Sequence, residues 1–128
     1  MNLKKYGGTE LIWKDRKRFL GMPLSFTRYL LIKKEGVWMK MFSDIGFFYS
    51  VIEEVNLYRI CDISFRQSLL GKLLNTGTIE LKSNDASRPI FYLKNIKNPF
   101  QVREIISTLV EEQRKIHGVR LAEFHSHE

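Results

Sequence analysis

Few residues in this sequence have the types and the spacing that catalysis or metal binding needs. Of the three histidines, His117 stands alone, while His125 and His127 join Glu128 in offering two imidazoles and a carboxylate to a divalent ion. A frayed terminal segment explains that cluster more simply, and we favour this explanation. The single cysteine, Cys61, excludes an internal disulfide and a multi-cysteine zinc site, and its strand-like surroundings predict a buried, unreactive thiol. We therefore expect no metal site.

Groups for acid–base or nucleophilic catalysis are also missing from the pattern. Glu53, Glu54 and Asp62 supply carboxylates, but no base stands at a spacing that would partner them. No phosphate-binding loop, nucleophile elbow or dinucleotide fingerprint occurs, and the pair Gly7-Gly8 precedes no suitable strand–helix unit. We therefore expect a protein that is not an enzyme and that carries no cofactor.

The positive charge of the chain lies in its first third. The 128 residues have a formal net charge of +7. Residues 1–40 contain ten basic and three acidic residues and so account for all of it, because the remaining 88 residues hold eleven of each sign. The side chains that we expect to contact an anionic or membrane partner are Lys14, Arg16, Lys17, Arg18, Arg28, Lys33, Lys34 and Lys40.

The basic segment from Leu11 to Leu20 admits two interpretations. Four cationic side chains between Trp13 and Phe19 have the composition of an interfacial membrane anchor, in which each Lys or Arg contributes about 1 kcal/mol near an anionic leaflet. Alternatively, the apolar side chains pack on the domain and the charges are only solvated, and we give this interpretation more weight. A basic chain also attracts nucleic acid without specificity, but no recognition helix or zinc finger is visible, so nucleic acid is the weaker partner class.

The hydrophobic pattern predicts a β-rich domain behind an N-terminal leader. Residues 1–22 are predicted to form a basic leader, which is either a short helix or an extended arm on the domain. Gly21 and Pro23 would end any helix in this segment. An apolar spacing of three after Leu57 predicts a helical turn that feeds a strand ending near Gln67. Further strands are predicted at 24–32, 37–42, 47–52, 78–82 and 90–93.

Two local patterns indicate how these strands are connected and which way they face. The Glu35-Gly36 pair stands between two apolar runs and is typical of a short hairpin connection. Strict alternation from Thr78 to Lys82 points Ile79 and Leu81 to the core.

The clearest single element is a C-terminal helix. Asn98 is a good N-cap and Pro99 suits the first helical position. Gly118 is typical of a helix end, so the helix is predicted over about 99–117, with 119–128 as a tail. Its apolar stripe consists of Val102, Ile105, Ile106, Leu109 and Val110.

Five short segments stand in a suggestive order along the chain: PLSFT at 23–27, LYRICDI at 57–63, QSLL at 67–70, GTI at 77–79 and IKNP at 96–99. Together they resemble the core signature of the bacterial pleckstrin-homology (PH-like) domains. The resemblance implies a mainly β fold over residues 23–118, a bent antiparallel seven-stranded barrel or sandwich capped by one C-terminal α-helix. It implies no enzymatic activity, since the family is a set of scaffolds and a fold does not define a function.

The resemblance also brings phosphoinositide binding into consideration. Eukaryotic PH domains hold phosphates with basic side chains on their first two strands, and the corresponding hairpin here runs from Arg28 to Lys40. Lys40 is followed by Met41 and Phe42 instead of further arginines. We therefore expect no specific inositol-phosphate site. Loose attraction to an anionic membrane and protection of an exposed strand edge are the alternative roles for these lysines.

Aromatic residues out of phase with the core favour a protein partner. Because neighbouring strand residues point to opposite faces, Trp38, Phe47 and Tyr49 are candidates for an exposed interface. We predict a non-enzymatic PH-like binding or assembly module, a protein-interaction scaffold whose partner is another copy of itself or a different protein. The alternative is a peripheral adaptor on an anionic membrane surface that uses the basic N-terminal third.

The expected location follows from what the sequence lacks. No run approaches the roughly 20 apolar residues that span a bilayer, and no signal-peptide core follows the N-terminal lysines. We expect a cytoplasmic protein, or one that is peripheral at the inner face of the membrane.

Overall fold

The computed structural model describes residues 3–34, 37–48 and 50–126, and its architecture is mainly β. One antiparallel sheet contains four strands in sequential order, β1 (Gly8–Arg16), β2 (Thr27–Lys34), β3 (Met39–Ile45) and β4 (Val51–Asn56). The second antiparallel sheet contains β5 (Ile60–Arg66), β6 (Thr76–Ser83) and β7 (Ile90–Lys97). The helices are two 3-10 helices (Leu3–Tyr6 and Leu57–Arg59), α1 (Leu69–Leu74) and α2 (Pro99–Ser126).

The two sheets remain separate within the described ranges, so the barrel form of the predicted fold is not formed, while the antiparallel strands and the C-terminal helix are. One main core lies between the sheets and α2. It is built from strand residues such as Leu31, Met41 and Leu81 and from the helix residues Val102 and Ile106. None of the described helices is long and apolar enough to cross a membrane.

A second, smaller core covers the opposite face of the four-stranded sheet. Leu30, Ile32 and Phe42 point to this face, and the N-terminal 3-10 helix places Tyr6 over them. The Tyr6 and Phe42 rings lie 5.4 Å apart. Strand β2 is therefore buried on both faces, which explains why its apolar residues form a continuous run instead of alternating with polar ones.

Part of the predicted leader is a strand of the sheet. Residues Gly8–Arg16 form β1, which pairs along β2 from Gly8 opposite Lys34 to Arg16 opposite Arg28. Of the two predicted forms, helix and extended arm, the chain is extended here. Ile12 and Trp13 pack against the main core, so burial of apolar surface and pairing with the free edge of β2 both favour the strand.

The strand predictions are confirmed at some positions and shifted at others. Ile79 and Leu81 are fully buried, and a 3-10 helix at Leu57–Arg59 feeds β5. The strand predicted from residue 47 begins only at Val51, because β3 continues to Ile45. The Glu35-Gly36 connection lies outside the described residues.

Helix α2 begins at Pro99 as predicted, but the predicted end at Gly118 is wrong. The helix continues through this glycine to Ser126, so 119–126 is not a separate tail. Gly118 lacks the positive φ of a left-handed helix terminus. A glycine inside a helix is only about 1 kcal/mol less favourable than alanine, so a helix can continue through it. Of the predicted stripe, Val102, Ile106 and Val110 are buried and Leu109 is partly buried, while Ile105 is exposed.

The buried face of α2 ends in a polar residue that the stripe did not include. Gln113 is 2% exposed. Its side-chain amide nitrogen donates to the Val37 carbonyl at 2.7 Å, and its oxygen accepts from the Met39 amide at 2.8 Å. Gln113 therefore attaches the helix to the backbone at the start of β3.

Candidate functional site

Four of the predicted basic residues border one cavity at the end of the four-stranded sheet. Arg16 at the end of β1 pairs with Arg28 at the start of β2, and Lys14 lies two residues earlier on the same face as Arg16. With Arg18 they surround a cavity of about 340 Å³. The other residues lining it are Asp15, Pro23, Tyr29 and Leu30.

The charge around this cavity, which we call the basic pocket, is only partly neutralised. Arg18 is held by Asp15, with its guanidinium 3.0 Å from the carboxylate, and it also donates to the Gly21 carbonyl. Arg28 lies 3.8 Å from Asp44. Among the described residues, Lys14 and Arg16 have no acidic group within ion-pair distance. The pocket can therefore attract an anion.

The remaining predicted basic residues lie elsewhere. Lys17 borders a neighbouring groove formed by strands of both sheets. Lys33 and Lys34 are at the other end of β2, where Lys34 donates to the Tyr6 carbonyl and lies over the Phe42 ring. Lys40 is paired with Glu54 at 3.0 Å. The structure thus divides the predicted set into a cluster at one end of the sheet and lysines at the other.

Beside the basic pocket, three connections expose apolar side chains at one end of the molecule. We call this surface the loop end, and it consists of residues 17–26, 46–48 and 67–75. Phe48 is 93% exposed, Leu69 85% and Leu73 81%. The other apolar residues of the loop end that are at least half exposed are Phe19, Leu20, Met22, Leu24, Phe26, Phe47 and Leu70.

The three connections lie next to one another. The Phe26 and Phe47 rings lie 4.8 Å apart, and the Gly46 amide donates to the Phe26 carbonyl. On the other side of the same connection, Gly21 approaches the Leu74 side chain of α1. These contacts place the connection 17–26 between the β3–β4 connection and α1.

The three predicted aromatic interface residues have different positions. Phe47 belongs to the loop end. Trp38 packs within the molecule, with its ring centre 5.2 Å from that of Tyr58 and 5.9 Å from that of His117, and with Arg120 over its face. Tyr49 lies outside the described residues. Trp38 therefore joins α2 to the four-stranded sheet in this structure.

A buried carboxylate lies on β3 near the basic pocket, and the sequence analysis missed it. Asp44 Oδ2 accepts hydrogen bonds from the Tyr6 hydroxyl at 2.6 Å and the Lys5 ammonium at 2.9 Å. Asp44 Oδ1 is buried without a hydrogen-bond partner among the described atoms. In the sequence, Asp44 stands two residues after Phe42 in the same strand, and this spacing places it on the same buried face. No other sequence signal indicated that Asp44 is buried.

The pKa values of this cluster reflect burial and hydrogen bonding. Burial alone raises the pKa of Asp44, but hydrogen bonds from Tyr6, Lys5 and Ser50 and the Lys5 charge outweigh it, so the pKa lies below its ordinary value of 3.8. Burial, followed by the hydrogen bond and charge of Asp44, raises the pKa of Tyr6 to about 12. Both shifts favour a Tyr6 hydroxyl that donates to an ionised Asp44.

The other residues considered for chemistry are dispersed. Cys61 is exposed, not buried as predicted, because a register shift between Ile60 and Asp62 interrupts the alternation of β5. Its sulfur lies 3.3 Å from the Lys82 carbonyl oxygen. In the described part of the chain, no three His, Cys, Asp or Glu side chains are grouped to hold a metal ion.

No family model, no curated protein and no solved structure matches this chain.

Proposed function

We propose that this protein is a non-enzymatic PH-like binding module that attaches to anionic membrane surfaces through its basic pocket. The observation that carries this proposal is the convergence of Lys14, Arg16, Arg18 and Arg28 on one cavity, next to an exposed apolar surface. The succession of a four-stranded and a three-stranded antiparallel sheet and a C-terminal helix supports the PH-like class.

The electrostatics of the pocket suit a phosphate-bearing surface. Arginine presents a planar fork of donors that matches phosphate oxygens, and three of the four cations are arginines. Each cation near an anionic leaflet contributes about 1 kcal/mol, and ion pairing with Asp15 and Asp44 reduces the share of Arg18 and Arg28. Lys14 and Arg16 therefore supply most of the attraction.

The proposal assigns no catalytic residue. Asp44 accepts hydrogen bonds from Tyr6 and Lys5, and these bonds join the N-terminal 3-10 helix to β3. We therefore assign this polar cluster a structural role. Gln113 has a similar structural role between α2 and β3.

Co-sedimentation with vesicles tests the proposal. Vesicles of phosphatidylcholine mixed equally with phosphatidylglycerol should bind the protein at low salt, and pure phosphatidylcholine vesicles should bind it much less. The double variant Lys14→Glu with Arg16→Glu should lose at least about tenfold in affinity for the anionic vesicles, because each substitution reverses one charge.

A matched variant separates the pocket from the total charge of the protein. Lys82→Glu with Lys115→Glu changes the net charge by the same amount at exposed positions that do not line the basic pocket. This control should retain most of the binding. Equal losses in the two double variants, or equal binding to both vesicle types, would contradict the proposal.

A second candidate is a protein-interaction scaffold that self-associates. The Phe47 ring contacts those of Phe26 and Phe48 at the surface, with ring centres 4.8 and 4.9 Å apart in tilted and edge-to-face arrangements. Exposed aromatic clusters are typical anchors of protein interfaces. Light scattering after size-exclusion chromatography tests this candidate. It requires a mass above 15.2 kDa that returns to the monomer value in Phe48→Ser.

A further inference from the structure

We infer that the loop end inserts its apolar side chains below the lipid headgroups, so that the acyl boundary of an anionic bilayer is the occupant of this surface. The inference rests on the membrane attachment proposed above and adds a second, non-electrostatic component to it. In this arrangement the basic pocket contacts the lipid headgroups, while the apolar side chains on either side of it insert more deeply.

The exposure of the apolar residues favours a fluid partner. Phe48, Leu69 and Leu73 are each more than four-fifths exposed and stand on two separate connections. Leu69 and Leu73 also border an apolar depression on the outer surface of α1. Interfacial anchors bury such side chains about 5–10 Å into the boundary between headgroups and acyl chains. A bilayer adapts to several separate projections, whereas a protein partner needs a complementary rigid surface.

The charges of the loop end point to the same partner. Residues 17–26, 46–48 and 67–75 contain three basic residues, Lys17, Arg18 and Lys72, and no aspartate or glutamate. Carboxylates would be repelled by an anionic leaflet and costly to desolvate, whereas lysine and arginine extend toward phosphate groups. The apolar surface therefore has basic residues around it. In a membrane anchor, such residues attract the anionic leaflet while the apolar side chains insert.

The two most exposed parts lie on either side of the connection that leads to the basic pocket. Phe26 contacts Phe47 on one side of this connection, and Gly21 approaches α1 on the other. Arg18, at its start, lines the pocket. Insertion at two places fixes the orientation of the domain and brings the pocket to the level of the phosphates.

Helix α2 extends away from the inserted surface. Its first residue follows Asn98, whose amide donates to the carbonyl of Asn75 in the loop end. Further along, Gln113 bonds to Val37 and Met39, which lie at the end of the four-stranded sheet opposite the loop end. Leu121 is exposed in the second half of α2, so it provides a control position far from the proposed insertion.

Site-specific fluorescence tests the inference, and the chain makes the labelling simple because it has one cysteine. In a Cys61→Ser background, an environment-sensitive NBD dye is attached to Phe48→Cys, Leu73→Cys or Leu121→Cys. With vesicles of phosphatidylcholine mixed equally with phosphatidylglycerol, the dyes at positions 48 and 73 should shift to the blue. They should also be quenched by nitroxides on the acyl chains, while the dye at 121 remains unchanged.

Salt dependence provides a second measurement on unlabelled protein. Insertion should leave part of the vesicle binding intact at high salt, since charge attraction is screened and burial of apolar surface is not. Phe47→Ser with Phe48→Ser should reduce this residual binding by at least about tenfold, while Val119→Ser with Leu121→Ser should leave it unchanged.

The outcomes distinguish this inference from the proposed function. Anionic vesicle binding without a blue shift at position 48 or 73 would overturn insertion and leave electrostatic attachment in place. Loss of both binding and blue shift would overturn both. A blue shift without vesicles that grows with protein concentration would identify a second copy of the chain as the occupant, and this too would overturn the inference.

Discussion

The Asp44 side chain connects three parts of the protein through one carboxylate. It accepts hydrogen bonds from Tyr6 and Lys5, and Arg28 lies 3.8 Å away. Taking a carboxylate out of water is costly, and the hydrogen bonds from the Lys5 ammonium and the Tyr6 hydroxyl offset that cost. The cluster therefore positions the N-terminal 3-10 helix and also limits the free charge of the basic pocket by engaging Arg28.

Asp44→Asn should lower the free energy of unfolding by about 2 kcal/mol at neutral pH, because it weakens charge-assisted hydrogen bonds in a buried site. The depressed pKa of Asp44 gives stability that is present above pH 3.8 and is lost as the pH falls through the folded-state pKa. Urea unfolding at several pH values checks this. Glu104→Gln removes an exposed carboxylate and should change stability little; an equal loss in both variants would contradict the role of Asp44.

Tyr6 gives the cluster an alkaline limit. Its pKa is about 12, compared with 10.0 for a free tyrosine, so its protonated form adds stability that is present below pH 10 and is lost from pH 10 to about 12. Tyr6→Phe removes this titration, and the variant should therefore lose less stability across that range than the wild type. Unfolding curves on both proteins measure the difference, and parallel losses would show that another group is responsible.

At the scale of elements, the length of α2 is the main departure from the sequence pattern. The helix passes through Gly118, where an added Cβ would meet no atom within 4 Å. Glycine is the usual residue at a left-handed helix end, but it is also tolerated inside a helix. Local sequence does not distinguish these cases, because the difference depends on whether the following turn is helical.

Gly118→Ala distinguishes a continuous helix from a helix that ends at residue 118. In the continuous helix, alanine should raise stability by about 0.5–1 kcal/mol, since it reduces the freedom of the unfolded chain without a clash. In a left-handed terminus, alanine would be strained and stability would fall. Thermal unfolding together with helical content by circular dichroism decides between them.

Strand β1 shows how pairing changes the interpretation of a segment. Its charged residues alternate with Ile12 and Trp13 only roughly, and register shifts interrupt its pairing with β2. The sequence pattern alone therefore left a short helix and an extended arm as alternatives. The free edge of β2 and the apolar surface of the core supplied the partners that make this segment a strand.

At the scale of the whole molecule, both sheets and α2 share one core. Ile106 is completely buried in it, together with Leu31 from the four-stranded sheet and Leu81 from the three-stranded sheet. The elements should therefore unfold together. The short 3-10 helix at Leu57–Arg59 connects the two sheets and contributes Leu57 to the same core.

Ile106→Ala should lower the free energy of unfolding by about 2–5 kcal/mol, through lost burial and the cavity left behind. Far-ultraviolet circular dichroism and tryptophan fluorescence should still report coincident transitions, because Trp13 packs on the same core. Separate transitions would indicate that the sheets unfold independently. Ile105→Ala, on the exposed face of α2, is the matched control and should have a small effect.

The folded structure shows where the side chains that give the net charge of +7 lie. The sequence places all of the excess in residues 1–40, and the folded chain separates these residues into two groups at opposite ends of β2. Only the group at the start of β2 adjoins the exposed apolar surface. The positive surface next to the apolar residues therefore includes only some of the basic side chains of residues 1–40.

Local sequence patterns were enough to predict the β-rich character of the chain, the start of α2 at Pro99, the inward direction of Ile79 and Leu81 and the charge asymmetry. These properties depend on the spacing of nearby residues, which periodicity records directly. Which distant residues meet depends on the tertiary structure: Arg16 with Arg28, Asp44 with Tyr6, and Gly21 with Leu74 of α1. Such contacts depend on strand register and on pairing between distant segments, and local spacing does not specify either.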